Sequence, residues 1–405
     1  MKRAMAVLLA GLLVLSLPAV AVSATDSSET DETALETDEP SQPFVETNGT
    51  TNRLDPGADP RSERTEHGDD LGTTLMSADD ELRVDYEQEA IVRNGFENAS
   101  SGDREEMVQL GYERLQERTD VLEERERAAV REHAADDRST TRLLQTFSRN
   151  YHESSVIASA LDELVGYADR VPEYSLSIRD DKSVLEMYRT DVRSQLDATS
   201  DRGESDRTHL AVRTAETGYS LSVLDRNYVR EATRFDSRNA SQPDQFNDIT
   251  DAHGTAQELY PWVFEADHET HSSMAESRTV QLYRIQAIHD QGQLTAYLDG
   301  GTGTVHRELQ TLDHEQLPPI DDDRWTEDGL ELSITETAAN GPAEVSVADA
   351  DTGDPVAATV SIEGAFAGET GSSGSLWVLP PDGEFDLRAD ADGDSVAGTV
   401  SDTDS

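Results

Sequence analysis

A chain of 405 residues with 84 acidic against 33 basic side chains carries a formal charge of −51, and only 35% of it is hydrophobic. The absence of cysteine excludes disulfide staples, thiolate metal sites and cysteine nucleophiles. Lys2 and Lys182 are the only lysines and no stretch beyond the N-terminus is basic enough to attract phosphates, which disfavours nucleic-acid binding. Such an acidic surplus repels itself in dilute buffer. In molar salt the Debye length falls to about 3 Å, so the composition suits a salt-saturated environment.

Lys2 and Arg3 precede a run from Met5 to Val22 that is apolar apart from Ser16, Gly11 and Pro18, and Val22-Ser23-Ala24 offers small residues for cleavage. Residues 1–24 therefore read as a secretory signal peptide, and an uncut segment would be long enough to serve as an N-terminal membrane anchor. Thr25 to Gly72 holds 14 acidic residues and only five large apolar ones, with Pro40, Pro43, Pro56 and Pro60 dispersed through it. That composition predicts a disordered acidic linker over 25–77. Asn48, Asn98 and Asn239 each begin a sequon, so all three are candidate N-glycosylation sites in an exported protein.

From residue 78 to 200 the pattern turns helical. Asp103 with Glu106 suggests a capped start, and Val108, Leu115, Leu122 and Ala129 then recur every seven residues in coiled-coil fashion. Leu144, Phe147, Tyr151, Ala158, Leu161, Val165 and Ala168 form a second stripe after a polar turn at 136–139, which predicts an antiparallel helical hairpin acting as a stalk. Ser183 and Glu186 read as a capping box opening one more helix that runs to Asp197.

Residues 207–317 read as an α+β domain with an antiparallel sheet. Leu210 to Thr214, Tyr219 to Leu224, Tyr228 to Phe235, Val280 to Ile288, Gln293 to Leu298 and Thr304 to Leu312 have strand character, and Ile249 to Tyr260 has the period of a short helix ended by Pro261. Pro318, Pro319 and the acidic run 321–323 predict a linker over 318–329. Residues 330–405 then carry short strands at the spacing of a small Ig-like β-sandwich. The fold class expected is thus multidomain α+β: an N-terminal helical hairpin or stalk, a central α+β domain and a C-terminal β-sandwich.

The chemistry-bearing patterns are sparse. His268-Glu269-Thr270-His271 has the wrong spacing for two zinc-binding histidines on one helical face. Asp390 to Asp394 lacks the sixth-position glycine and twelfth-position glutamate of a calcium loop, and acidic turns such as Asp349, Asp351 and Asp354 follow from composition. Gly300 to Gly303 precedes a strand, not the helix that a phosphate-cradling loop requires, and Gly371 to Gly374 lacks the spacing of a nucleophile elbow. No catalytic, cofactor-binding or metal-ligating residue is therefore assigned. Tyr260 and Trp262 flank the helix-ending proline and are the candidate contact residues, serving either as core anchors or as an exposed partner patch.

Tyr228-Val229-Arg230-Glu231-Ala232, Leu259-Tyr260-Pro261-Trp262, Ala296-Tyr297-Leu298-Asp299 and His306-Arg307-Glu308-Leu309-Gln310 together resemble a family of exported haloarchaeal proteins catalogued as a domain of unknown function. The helix and strands ending at Leu298 to Val305 are similar to PepSY-type domains, which implies regulation or inhibition of a secreted peptidase. Asp351 to Val356 with Ala358-Thr359-Val360 resembles the carboxypeptidase regulatory-like sandwich, which implies a non-catalytic accessory module. The expectation is a secreted or cell-surface binding and display protein without a cofactor, acting on a protein or envelope partner. A PepSY-like peptidase regulator is the alternative, and an extracellular hydrolase the second alternative.

Overall fold

The computed structural model describes residues 44–67, 71–198 and 208–401. The signal-peptide reading of residues 1–24 lies outside the described residues. A two-residue ribbon, β1 (Phe44–Val45) with β2 (Arg53–Leu54), is followed by β3 (Arg61–His67). Thr50, Thr51, Arg53 and Leu54 are all at most 1% exposed. Over its described part, the acidic linker expected at 25–77 is therefore structure. Low average hydrophobicity misled there because a few buried side chains, with hydrogen bonds from β2 to the rest of the fold, are enough to fix a short segment.

Five helices come next: α1 (Leu71–Gln88), which continues as a π-turn to Arg93, α2 (Ser101–Ala134), α3 (Thr140–Ala168), α4 (Arg179–Glu186) and α5 (Asp191–Ala198). The seven-residue stripe Val108, Leu115, Leu122 and Ala129 is buried, as the period demands. Antiparallel packing of α2 on α3 is fixed near the turn by His133 on Thr140 and farther along by Asn150, whose Nδ2 donates to Leu122 O at 2.9 Å. The cap of α2 is Ser100, whose hydroxyl accepts from Asp103 N, so the expected Asp103 cap is displaced by three residues. The single helix expected from Ser183 to Asp197 breaks in two. Thr190 Oγ1 accepts from Arg193 N and opens α5, while Ser183 lies inside α4 with its hydroxyl on Arg179 O.

Eight antiparallel strands form the central sheet, in the order β3-β4-β5-β6-β10-β9-β8-β7. They are β3, β4 (Thr208–Thr214), β5 (Gly218–Leu224), β6 (Tyr228–Arg234), β7 (Glu269–Ser277), β8 (Leu282–His289), β9 (Gly292–Asp299) and β10 (Thr304–Leu312). Between β6 and β7 lie α6 (Ile249–Leu259) and a single turn, α7 (Pro261–Phe264). β7 escaped the sequence reading because its small polar residues carry no apolar alternation.

Alternation of side chains gives this sheet two different faces. On one, Leu210, Val212, Tyr219, Leu221 and Val223 pack with Ala129, Val130, Leu143, Phe147, Val192 and Leu196 of the helices. The helical hairpin is thus a layer on the sheet and not a stalk apart from it. On the other face Tyr283, Ile285, Ala287, Leu294 and Ala296 pack beneath α6, α7 and the β1–β2 ribbon.

The C-terminal unit is a sandwich of two four-stranded sheets, β11-β12-β13-β16 and β15-β14-β17-β18. Its strands are β11 (Pro319–Glu327), β12 (Leu330–Thr337), β13 (Ala343–Asp349), β14 (Thr359–Ile362), β15 (Ala365–Glu369), β16 (Ser375–Val378), β17 (Phe385–Ala391) and β18 (Asp394–Val400). The multidomain α+β class and the small sandwich hold. The linker expected at 318–329 is mostly β11, paired along its length with β12 and anchored by Trp325, whose ring lies where a Cβ on Gly398 would stand. Its acidic residues occupy a solvent-facing edge, so they read as linker while the backbone is paired. Trp377 meets His314 edge-on at 4.8 Å, and Leu379 packs with Tyr228, Leu312 and Leu317, so the sandwich is seated on the sheet.

Candidate binding cleft

The helices cover the β4–β6 half of their face and leave much of β7–β9 open. The helix break at Met187–Thr190 lets α4 lean toward β7 while α5 stays over β6. A cleft results between α4 and the strands, with a volume of about 700 Å³, and a second hollow of about 350 Å³ adjoins it beside α5. Glu186, Arg284 and Tyr297 border both, so the two form one continuous depression.

Its floor is built by strand register. Ala275 faces Arg284 and Arg284 faces Tyr297, so these three alternate onto the cleft side together. Ser273 donates to Gln286 Oε1 at 3.2 Å and Gln286 Nε2 approaches Thr295 Oγ1 at 3.4 Å, giving a hydrogen-bonding row across three strands. Leu176, Ile178 and Leu282 add an apolar end. At the rim Lys182 Nζ donates to both oxygens of Asp162 at 2.6 and 2.7 Å, and Arg284 meets Glu186 at 2.7 Å. Arg179 and Arg189 are exposed and have no carboxylate partner among the described residues. With Lys182 set against Asp162 and Arg284 against Glu186, Arg179 and Arg189 outnumber Asp191, the further carboxylate of the lining, so the depression is locally positive in a chain of charge −51. Burial pushes the Tyr297 phenol above its ordinary range, so it acts as a neutral hydroxyl.

Beneath the cleft a sealed ion network ties helices to sheet. Arg193 of α5 meets Glu126 of α2 and Glu231 of β6, both at 2.8 Å, and Arg307 of β10 meets Glu126 at 2.7 Å. Tyr219 accepts from Arg193 at 2.6 Å and donates to Glu231 at 2.5 Å. Two cations balance two anions, all at most 2% exposed. Burial alone would raise the Glu126 carboxyl, but Arg193 and Arg307 outweigh it and hold it down at about 2.

The sequence-predicted residues lie elsewhere. Tyr260 is fully buried, with its hydroxyl donating to Glu308 at 2.8 Å and its ring meeting Phe44 edge-on, so it belongs to the core and is not a contact patch. Trp262 is half-buried on the face opposite the cleft, stacked on His268 at 4.3 Å and edge-on to His289. Asn48 and Asn98 are exposed, whereas Asn239 is half-buried with its Oδ1 accepting from Ser241. His268 reaches Asp290 at 3.3 Å, and among the described residues no group of three or more His, Asp or Glu is placed to hold a metal ion. Gly300 to Gly303 is the β9–β10 turn, and Asp349 accepts from the backbone of Asp351 and Thr352. Sequence reasoning passed over the cleft residues. The available signal was Lys182, the one lysine beyond the N-terminus.

Among the described residues no helix is long and apolar enough to cross a membrane. Comparison with known families finds three successive matches: a domain of unknown function (DUF7096) over residues 1–206, a family of unknown function (DUF7094) over 210–318, and an archaeal fibronectin-III type-like domain over 321–398. The last agrees with the two-sheet sandwich. No curated protein and no solved structure matches the chain. Since the first of these matches spans half of its length, the chain belongs to the DUF7096 family.

Proposed function

We propose that this is an exported, non-enzymatic binding protein of the envelope or extracellular space, using the α4–β7–β9 cleft to hold a partner segment that bears carboxylates. The observation that carries the reading is the depression itself, with a polar strand floor, an apolar end and, at its rim, the guanidiniums of Arg179 and Arg189, which have no carboxylate partner among the described residues. Extended acidic polypeptide fits best, because Leu176, Ile178 and Leu282 can take apolar side chains while the arginines take carboxylates in bidentate fashion. The N-terminal cations and apolar run support export, and the acidic surplus supports work in high salt. The sandwich would serve as a rigid accessory module.

A second reading, regulation of a secreted peptidase, rests on the sequence resemblance of the segment ending at Leu298 to Val305 to PepSY-type domains, a segment that folds as helix α6 followed by the β7–β10 meander. Both readings are tested with the full chain in high-salt envelope and culture fractions. Ala275→Trp fills the cleft floor and should lose the species that the wild type retains, at an unchanged thermal midpoint. Equal retention by both proteins would refute the cleft as the contact surface. Inhibition of a co-purifying peptidase by the wild type alone would select the second reading.

A further inference from the structure

Helix α1 is inverted in its burial. Toward α2 and α3 it turns Asp80, Val84 and Gln88. Asp80 accepts from Arg149 Nε and Nη2 at 2.5 and 2.7 Å, and Gln88 Nε2 donates to Gly111 O at 3.1 Å. On the other side of the helix, half a turn away at about 3.6 residues per turn, stand Leu71, Leu75, Leu82 and Tyr86, between 62% and 75% exposed. A surface helix ordinarily buries its apolar side and gives its polar side to water. Here an aspartate and a glutamine are buried while three leucines and a tyrosine are bare, in a chain only 35% hydrophobic. Nothing among the described residues covers them.

The stripe is symmetric along the helix. Its intervals are four, seven and four residues, so reversing the helix carries Leu71 onto Tyr86 and Leu75 onto Leu82 about a centre between Ala78 and Asp79. Ala78, exposed on the same side, divides the middle interval into three and four, the spacing of a coiled-coil seam. A two-fold contact requires that residue i meet residue j while j meets i, and this pattern satisfies the condition with a copy of itself. The four bare side chains offer roughly 550 Å² per copy, as much as the largest apolar patch of an ordinary monomer, and a pair would bury about 1,100 Å², near the lower end of specific interfaces. The rim is acidic: Glu81, Asp85 and Glu89 are exposed, and Arg83 is held by Asp79 at 2.7 Å. A helix that lies on a membrane carries Lys and Arg there, so this face does not suit lipid. The acidic rims of two copies are screened in molar salt.

We propose that two copies of this chain associate through α1, packed antiparallel about a two-fold axis beside Ala78, with Leu75 of each copy on Leu82 of the other and Leu71 on Tyr86. The small Ala78 side chain at the axis lets the two helices approach to about 8 Å. No residue of α1 lines the cleft between α4 and the strands, so the pairing does not consume that cleft, and the dimer carries two of them.

The test is sedimentation velocity of the full chain in molar potassium chloride over a concentration series. Wild type should pass from one chain mass to two as concentration rises. The double variant Leu75→Glu, Leu82→Glu changes exposed positions only, so it should keep the thermal midpoint of the dilute wild type while its dimer dissociates at least about 100-fold more readily. A wild type that stays monomeric at millimolar concentration, or a variant that dimerises equally well, would overturn the proposal. Orientation can be read because the chain has no cysteine of its own. A short bismaleimide should join Ala78→Cys, whose two copies meet at the axis, and spare Tyr86→Cys, whose copies would stand about 22 Å apart along the pair. Cross-linking of Tyr86→Cys as fast as Ala78→Cys would overturn the antiparallel contact. A monomeric wild type that pellets with phosphatidylglycerol vesicles, where the double variant does not, would assign the face to a membrane and overturn the proposal as well.

Discussion

Removing Arg193 should be among the most damaging single changes in the molecule. Arg193→Met keeps an unbranched chain of similar reach, so contact with the rings of Phe147 and Tyr188, now 4.9 and 5.6 Å from the guanidinium, is largely retained and the change is mainly one of charge. What disappears are the pairs with Glu126 and Glu231 and the donation to Tyr219. Two carboxylates at most 1% exposed would then share Arg307 alone. Breaking a buried pair on one side costs about 3–5 kcal/mol because the remaining charge is stranded. In a urea titration at high salt, with a slope of about 2 kcal/mol per molar, the midpoint should fall by roughly 2 M. Arg83→Ala is the control: its pair with Asp79 at 2.7 Å lies on exposed side chains and should contribute no more than about 0.5 kcal/mol. Adding Glu126→Gln to Arg193→Met restores charge balance and should recover part of the loss. An Arg193→Met midpoint no lower than that of Arg83→Ala would refute the view that this network holds helices to sheet.

Trp262→Ala removes the ring stacked on His268 and edge-on to His289, and should lower stability by about 2–3 kcal/mol while leaving cleft binding intact, as thermal unfolding and partner retention would show. The thermal midpoint should drop steeply as salt falls below about 1 M, where 51 surplus negative charges are no longer screened, and a midpoint that stays level would refute the halophilic reading. In limited proteolysis at high salt, Pro319–Glu327 should resist cleavage because its backbone is paired with β12, and early cuts there would contradict the seated sandwich.

Where a period of seven or of two survives the acidic background, as in Val108 to Ala129 or Thr304 to Leu312, the element was legible, and β10 begins and ends where its alternation does. β7 was illegible because Thr270, Ser272, Ser273 and Ala275 lie at an open edge where no core demands apolar residues. The α4–α5 break was hidden for a different reason. Local capping by Thr190 competes with a stronger-looking Ser183–Glu186 pattern, and only the ion pairs of Arg193 with β6 decide between them. The cleft could not be read at all, since its residues come from α3, α4, α5, the loop before α4 and five strands, and converge only in the folded chain.

His306 carries the last prediction. It is 3% exposed, its Nδ1–H donates to Arg234 O at 2.7 Å, and burial together with the adjacent cations Arg307 and Arg238 pushes its pKa down to about 3. An unfolded chain would protonate this imidazole near pH 6.5. Because the folded value is depressed, the unfolded state binds the extra proton first, so the contribution of His306 is complete above pH 6.5 and is lost progressively as pH falls toward about 3. Protonation of surface carboxylates changes stability in the same range, which makes the difference between two proteins the useful quantity. His306→Gln retains a donor toward Arg234 O and removes the titration. Wild-type stability measured against this variant should fall by up to about 1.4 kcal/mol per pH unit between pH 6 and 4, the slope of one proton. Parallel pH profiles would mean that the ring is protonated inside the fold, and the neutral, carbonyl-bonded histidine described here would be wrong.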